Sequence, residues 1–153
     1  MSLTKILKEA GIEFIDSSIP EEPKMKPLRE YEIGDIFMAS LPKDKGSEVI
    51  HGTRPVVILN HSDKDRYRIV RIVPLTSRKN DENIKKEIFE NDVVLKKKKN
   101  PCLSKTSIAR VDHSMPISEN RLIKKIGKIC KNDLDNIKLK LQDLHGIDNL
   151  LEL

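Results

Sequence analysis

The stretch Gly46-Ser-Glu-Val-Ile-His-Gly-Thr-Arg-Pro-Val-Val-Ile-Leu59 decides how the rest of the chain reads. Its second part, Pro55 to Leu59, is a short continuous apolar run dominated by β-branched residues. Such a run predicts a central strand buried on both faces. Its first part carries two glycines and a polar cluster, so it predicts a loop. The loop ends in Arg54, locked beside a proline where the chain enters the core.

Working outward, Asp35–Leu41 and Tyr67–Val73 read as strands, the second preceded by the turn-rich residues 60–65. Ile88 to Leu95 and Ser107–Val111 are two further strand candidates. Ile123 to Cys130 fits either a strand with a bulge at Gly127 or a helix. Strand is preferred, because Asn132 is then free to cap a helix from Asp133 to His145. That helix would put Leu134, Ile137, Leu141 and Leu144 on one face and stop at Gly146. Strands every 10–20 residues followed by one helix predict a mainly β fold, a small barrel covered by the C-terminal helix.

The N-terminal residues differ. Leu3, Ile6, Leu7 and Ala10 have helical spacing, and Gly11 can end a short helix there. Pro20, Pro23 and Pro27 then predict an extended linker. The boundary falls near Arg29, giving an N-terminal extension over 1–30 and a barrel domain over 31–153.

The 153 residues contain no Trp, two Tyr and three Phe, so Ile, Leu and Val must fill the interior. The apolar run Val56–Leu59 is far below the roughly 20 residues a membrane helix needs, so a transmembrane helix is excluded. The first residues lack the long apolar core of a secretory signal. Cys102 and Cys130 have no metal-ligand spacing and read as reduced thiols, which suits a cytoplasmic protein. With no phosphate-binding glycine loop, nucleophile elbow or zinc motif, neither a cofactor nor a metal is expected.

The net charge is +5, and residues 1–30 hold five Lys/Arg against six Asp/Glu, so residues 31–153 carry +6. A basic domain attracts phosphate backbones, although the same balance also serves solubility. The run Lys96–Lys99 reads more simply as a solvated hairpin tip than as a binding stripe.

Three clusters could carry chemistry. Arg54 offers a planar fork of donors suited to a phosphate, and equally to loop carbonyls. Thr76 and Ser77 end the segment Val73-Pro-Leu-Thr-Ser77 with two hydroxyls, which either bind a phosphate oxygen or merely terminate a strand. In Ala109-Arg-Val-Asp-His113, a continuing strand would put Arg110 and Asp112 on one face, as a site pair or a surface ion pair. His113 would then face the other way, and His51 sits in the glycine-bearing loop.

Taken together, these clusters resemble the PemK/MazF family of toxin-antitoxin ribonucleases. The matching elements are Gly34-Asp-Ile-Phe37, Gly46-Ser-Glu48 with Gly52-Thr-Arg-Pro-Val-Val57, Val73–Ser77 and Ile108-Ala-Arg-Val-Asp112, in order over roughly Ile33 to Leu144. The resemblance implies an SH3-like β-barrel (PemK/MazF/CcdB-like) and a homodimer. It implies a metal-independent endoribonuclease that cuts single-stranded mRNA and is neutralised by a cognate antitoxin. By that resemblance Arg54, Thr76, Arg110 and Asp112 are the catalytic residues. Glu48, His51, Thr53, Ser77 and His113 are the accompanying RNA-binding positions. The spacing from Glu48 to Arg54 is one residue longer than in the family pattern. The competing functions are a CcdB-like toxin acting on DNA gyrase and a catalytically silent RNA-binding module.

Overall fold

The computed structural model describes residues 30–43, 50–62 and 68–146. The expected N-terminal helix and linker, Glu48 and the first residue of the expected strand at Tyr67 lie outside these residues. Seven strands and one α-helix form the domain: β1 Asp35–Leu41, β2 Gly52–Ile58, β3 Ile69–Ser77, β4 Asp92–Leu95, β5 Ser107–Arg110, β6 Met115–Ser118, β7 Leu122–Lys128 and α1 Lys131–His145. Single 3₁₀ turns at Val111–His113 and Glu119–Arg121 flank β6.

Among the described residues all strand pairings are antiparallel, and the strand order is β4-β5-β3-β2-β1-β7. β3 is the longest strand and serves two partners along one edge. Its Ile69–Ile72 half pairs with β6, and its Leu75–Ser77 half pairs with β5. Pro74 sits between the two halves, where a residue without an N–H suits the break in the ladder. Among the described residues the sheet is open, with β4 and β7 at its ends, so the expected barrel does not close.

Alternation along the central strands fills two cores. Val56, Ile58, Ile72 and Phe37 pack in one; Val57, Val73 and Ile36 pack in the other. This is why the apolar run at Val56–Ile58 is continuous: each successive side chain enters a different core. Each such side chain contributes about 1.5–3 kcal/mol when fully buried.

Two sequence expectations are corrected at the C-terminal end. The helix begins at Lys131, and Cys130, not Asn132, is its N-cap. The capping work is done from outside: Asn100 accepts the Cys130 N–H at 2.7 Å through Oδ1 and donates to Asp133 Oδ2 at 2.8 Å through Nδ2. Leu134, Ile137 and Leu141 pack on the core as expected, but Leu144 is 38% exposed in the last turn. Gly146 ends the helix with φ +65°, as its sequence position implies.

The expected strand from Ile88 begins only at Asp92, because a turn closes first, with the Asp92 N–H bonded to the Phe89 carbonyl. β7 is a strand, and its pairing with β1 skips Ile126, beside Gly127. A Cβ at Gly127 would lie 2.4 Å from that of Cys102, so the strand approaches the β4–β5 connection closely there. No described helix is long and apolar enough to cross a membrane.

Candidate active site

The site is built where β2 and β3 run side by side. Val56 pairs with Pro74 and Val57 with Val73, so Arg54 enters the sheet level with the end of β3. Its Nε donates to the His51 carbonyl at 2.9 Å, and its Nη1 lies 3.5 Å from the Leu75 carbonyl. Arg54 therefore does bond a loop carbonyl, that of His51, and its other contact brings the guanidinium to the Leu75 carbonyl near the end of β3. Partial burial lowers the Arg54 pKa, yet a guanidinium stays charged in proteins. A partly desolvated cation near the end of a strand that carries a hydroxyl suits one phosphodiester group.

Thr76 pairs across to Ile108 on β5, and its Oγ1 accepts a hydrogen bond from Lys86 Nζ at 2.8 Å. A hydroxyl that accepts from an ammonium keeps its own hydrogen for another acceptor and is polarised toward donation. Ser77 is spent differently: its Oγ donates to the Lys79 carbonyl at 2.9 Å. Thr53 is exposed, and as the strand neighbour of Arg54 it alternates to the opposite face.

Lys86 is the residue that sequence patterns missed. It lies in the connection between β3 and β4, among turn-forming polar residues with no periodicity. Desolvation lowers its pKa first, then the charges of Arg110 and Arg54, then Lys105, with only Asp81 opposing. Lys86 thus shares one small region with three other cations, a field that a phosphate would relieve.

Arg110 and Asp112 do not form the expected same-face pair, because β5 ends at Arg110 and a 3₁₀ turn follows. Arg110 instead pairs with the buried carboxylate of Asp92; the two side chains are 12% and 0% exposed. Its Nη1 also donates to the Glu87 carbonyl at 3.3 Å, and its guanidinium carbon lies 5.0 Å from the centre of the Phe89 ring. Asp92 in turn accepts the Phe89 N–H at 2.8 Å. Together these contacts brace residues 87–92, the segment directly after Lys86.

Asp112 is 42% exposed, and its Oδ1 lies 3.9 Å from His113 Nε2. His113 Nδ1 accepts the Ile50 N–H at 3.1 Å, so Nε2 carries the hydrogen in the neutral ring. Ile50 adjoins His51, whose carbonyl anchors Arg54, so this short segment links the 3₁₀ turn to the arginine. Among the described residues no three His, Cys, Asp or Glu side chains gather as metal ligands.

A basic cleft of about 780 Å³ continues from the end of β3. Arg78, Lys79, Lys85, Lys105 and the run Lys96–Lys98 line it, and no Asp or Glu does. The lysine run is an exposed turn after β4, as expected, but it also forms a wall of this cleft.

The profile of the PemK-like, MazF-like toxins of type II toxin-antitoxin systems matches residues 32–145. Among solved structures the fold is similar to MazF from Deinococcus radiodurans, with TM-score 0.63, 17% identity, 77% of this chain and 98% of that chain covered. It is similar to the toxin MazF-mt6 of Mycobacterium tuberculosis, with TM-score 0.53, 18% identity and coverage of 74% and 98%. An endoribonuclease in complex with its cognate antitoxin, from mycobacterial species, aligns with TM-score 0.53, 16% identity and coverage of 76% and 96%. At these identities the likeness is one of fold. No curated protein sequence matches the chain.

Proposed function

Since the chain belongs to the PemK-like, MazF-like toxins of type II toxin-antitoxin systems, we propose that it is an endoribonuclease that cuts single-stranded mRNA by attack of the substrate's own 2′-OH. The observation that supports this reading is the approach of the partly buried Arg54 guanidinium to the carbonyl of Leu75, the residue before Thr76, whose hydroxyl accepts from Lys86. RNA brings its nucleophile with it. The protein need only take the 2′ proton, stabilise charge on phosphorus and help the 5′-oxygen depart, and side chains can do all three without a metal.

In this scheme Arg54 and the Thr76 hydroxyl bind the non-bridging oxygens of the scissile phosphate. Asp112 takes the 2′ proton. His113 is unsuited to that task while its Nδ1 accepts from Ile50, because its other nitrogen then carries a hydrogen. Arg110 adds positive potential while holding the loop through Asp92 and Glu87. The bond from O2′ to phosphorus forms, the bond to O5′ breaks, and the products are a 2′,3′-cyclic phosphate and a 5′-OH. The cleft lined by Arg78, Lys79 and the lysine run suits the flanking phosphates.

The same reading makes the protein a cytoplasmic homodimer whose acidic cognate antitoxin blocks the basic surface. The free thiols of Cys102 and Cys130 accord with a reducing compartment. Incubation of the purified protein with a long single-stranded mRNA, with cuts mapped by primer extension, tests the function. Cutting should persist in EDTA and stop where the target nucleotide lacks its 2′-OH. An intact transcript, with poisoning of DNA gyrase instead, would transfer the protein to the CcdB-like class.

A further inference from the structure

We propose that Lys86 is a catalytic residue of this ribonuclease, the acid that gives a proton to the departing 5′-oxygen. The proposal rests on the ribonuclease reading above and deepens it. The side chain starts from a fixed base. The Lys86 N–H donates to the Arg78 carbonyl at 2.7 Å, and Lys85 bridges to Lys79. On the other side, the Glu87 carbonyl is held by Arg110 Nη1 at 3.3 Å. From that base Nζ reaches Thr76 Oγ1 at 2.8 Å. An ammonium has three hydrogens, so two remain after the bond to Thr76. A phosphate seated on Thr76 would lie within their reach.

The chemistry selects lysine over its neighbours. A guanidinium is a poor acid because its pKa exceeds ~12. Lys86 starts lower, and desolvation together with Arg110 and Arg54 lowers it further. An acid nearer neutrality transfers its proton more readily. The step balances without a co-reactant. Asp112 takes the 2′ proton as O2′ bonds to phosphorus. The electron pair of the P–O5′ bond goes to O5′, which takes a proton from Nζ and leaves a neutral amine. Solvent then restores both side chains. Arg110 acts through the loop and is a positioning residue.

The test uses the full-length protein and two synthetic oligonucleotides spanning a cut site already mapped on mRNA. One carries the ordinary 5′-oxygen at the scissile linkage; the other carries a bridging 5′-sulfur, which leaves as a thiolate and needs no proton. On the oxygen linkage Lys86→Ala is expected to lose about 10²–10⁴-fold in kcat, the usual contribution of a general acid. On the sulfur linkage it should match wild type within a few-fold. Lys86→Arg, which keeps the charge but is a weaker acid, should stay slow on oxygen alone. Circular dichroism should show all variants folded. Equal losses on both linkages, or recovery of oxygen cleavage by Lys86→Arg, would show a purely electrostatic role and overturn the proposal. Undiminished cleavage by Lys86→Ala would overturn it too. A wild-type protein that cuts neither RNA removes the ribonuclease reading itself, a result distinct from each of these.

Discussion

The carboxylate of Asp92 lies wholly out of water against the guanidinium of Arg110, eighteen residues further along the chain. The bond joins the edge strand β4 to its neighbour β5 and fixes the loop that presents Lys86. Arg110 thus serves the site from behind as much as within it.

Removing one partner of such a pair leaves the other charged and buried. Asp92→Ala should lower unfolding stability by about 3–5 kcal/mol, as broken buried ion pairs do. Urea denaturation reads this directly. A loss under 1 kcal/mol would mean that Arg110 finds water or another anion.

Arg54→Ala and Thr76→Ala should each slow RNA cleavage by about 10²–10³-fold, the usual cost of one donor to a developing oxyanion. Both side chains are only partly buried, so the far-ultraviolet spectrum should not change. Full activity in a folded Arg54→Ala protein would remove that residue from the chemistry.

The direction of the Lys86 shift sets a pH limit. Its pKa is lowered by desolvation, Arg110, Arg54 and Lys105 against the opposing Asp81. As pH rises through this lowered value the ammonium is lost, so kcat should fall below the pH at which an ordinary lysine titrates. Lys86→Ala should abolish that alkaline fall. The linked stability effect has the opposite sign. The unfolded chain binds the proton more tightly, so this group favours folding as pH climbs from the lowered value toward that of a free lysine.

Gln in place of Lys96, Lys97 and Lys98 should weaken RNA binding with little change in kcat on a short oligonucleotide. If all three contact phosphates, the slope of log affinity against log salt should shrink by about 2, from roughly 0.7 per phosphate on a single strand. An unchanged slope on long RNA would show that the cleft does not carry the backbone.

Part of this was legible in the chain itself. Val56, Val57 and Ile58 announce a strand buried on both faces because apolar residues in succession suit little else at that length. Gly146 marks the end of α1 because its conformation favours glycine. Arg54 and Thr76 were visible as candidates, and the pairing of β2 with β3 brings Arg54 to the carbonyl of Leu75, next to Thr76 in the chain. Lys86 was not visible, since only the folded loop returns it to a threonine ten residues earlier. Arg110 and Asp112 failed as a same-face pair for a local reason: the alternation assumed a strand, and β5 stops at Arg110. β6 carries little strand signal in the chain, being four residues long and containing Pro116.

Asn100 gives the lysine turn a second duty. Its backbone closes that turn on Lys96, while its side chain grips the start of α1 from two sides. Inserting residues between Lys96 and Asn100 would therefore loosen the helix as well as the turn, whereas the neighbouring bend at residues 80–83 has no such tether to α1. Engineers seeking a place for a label or a fused peptide should choose the latter and leave the former at its native length.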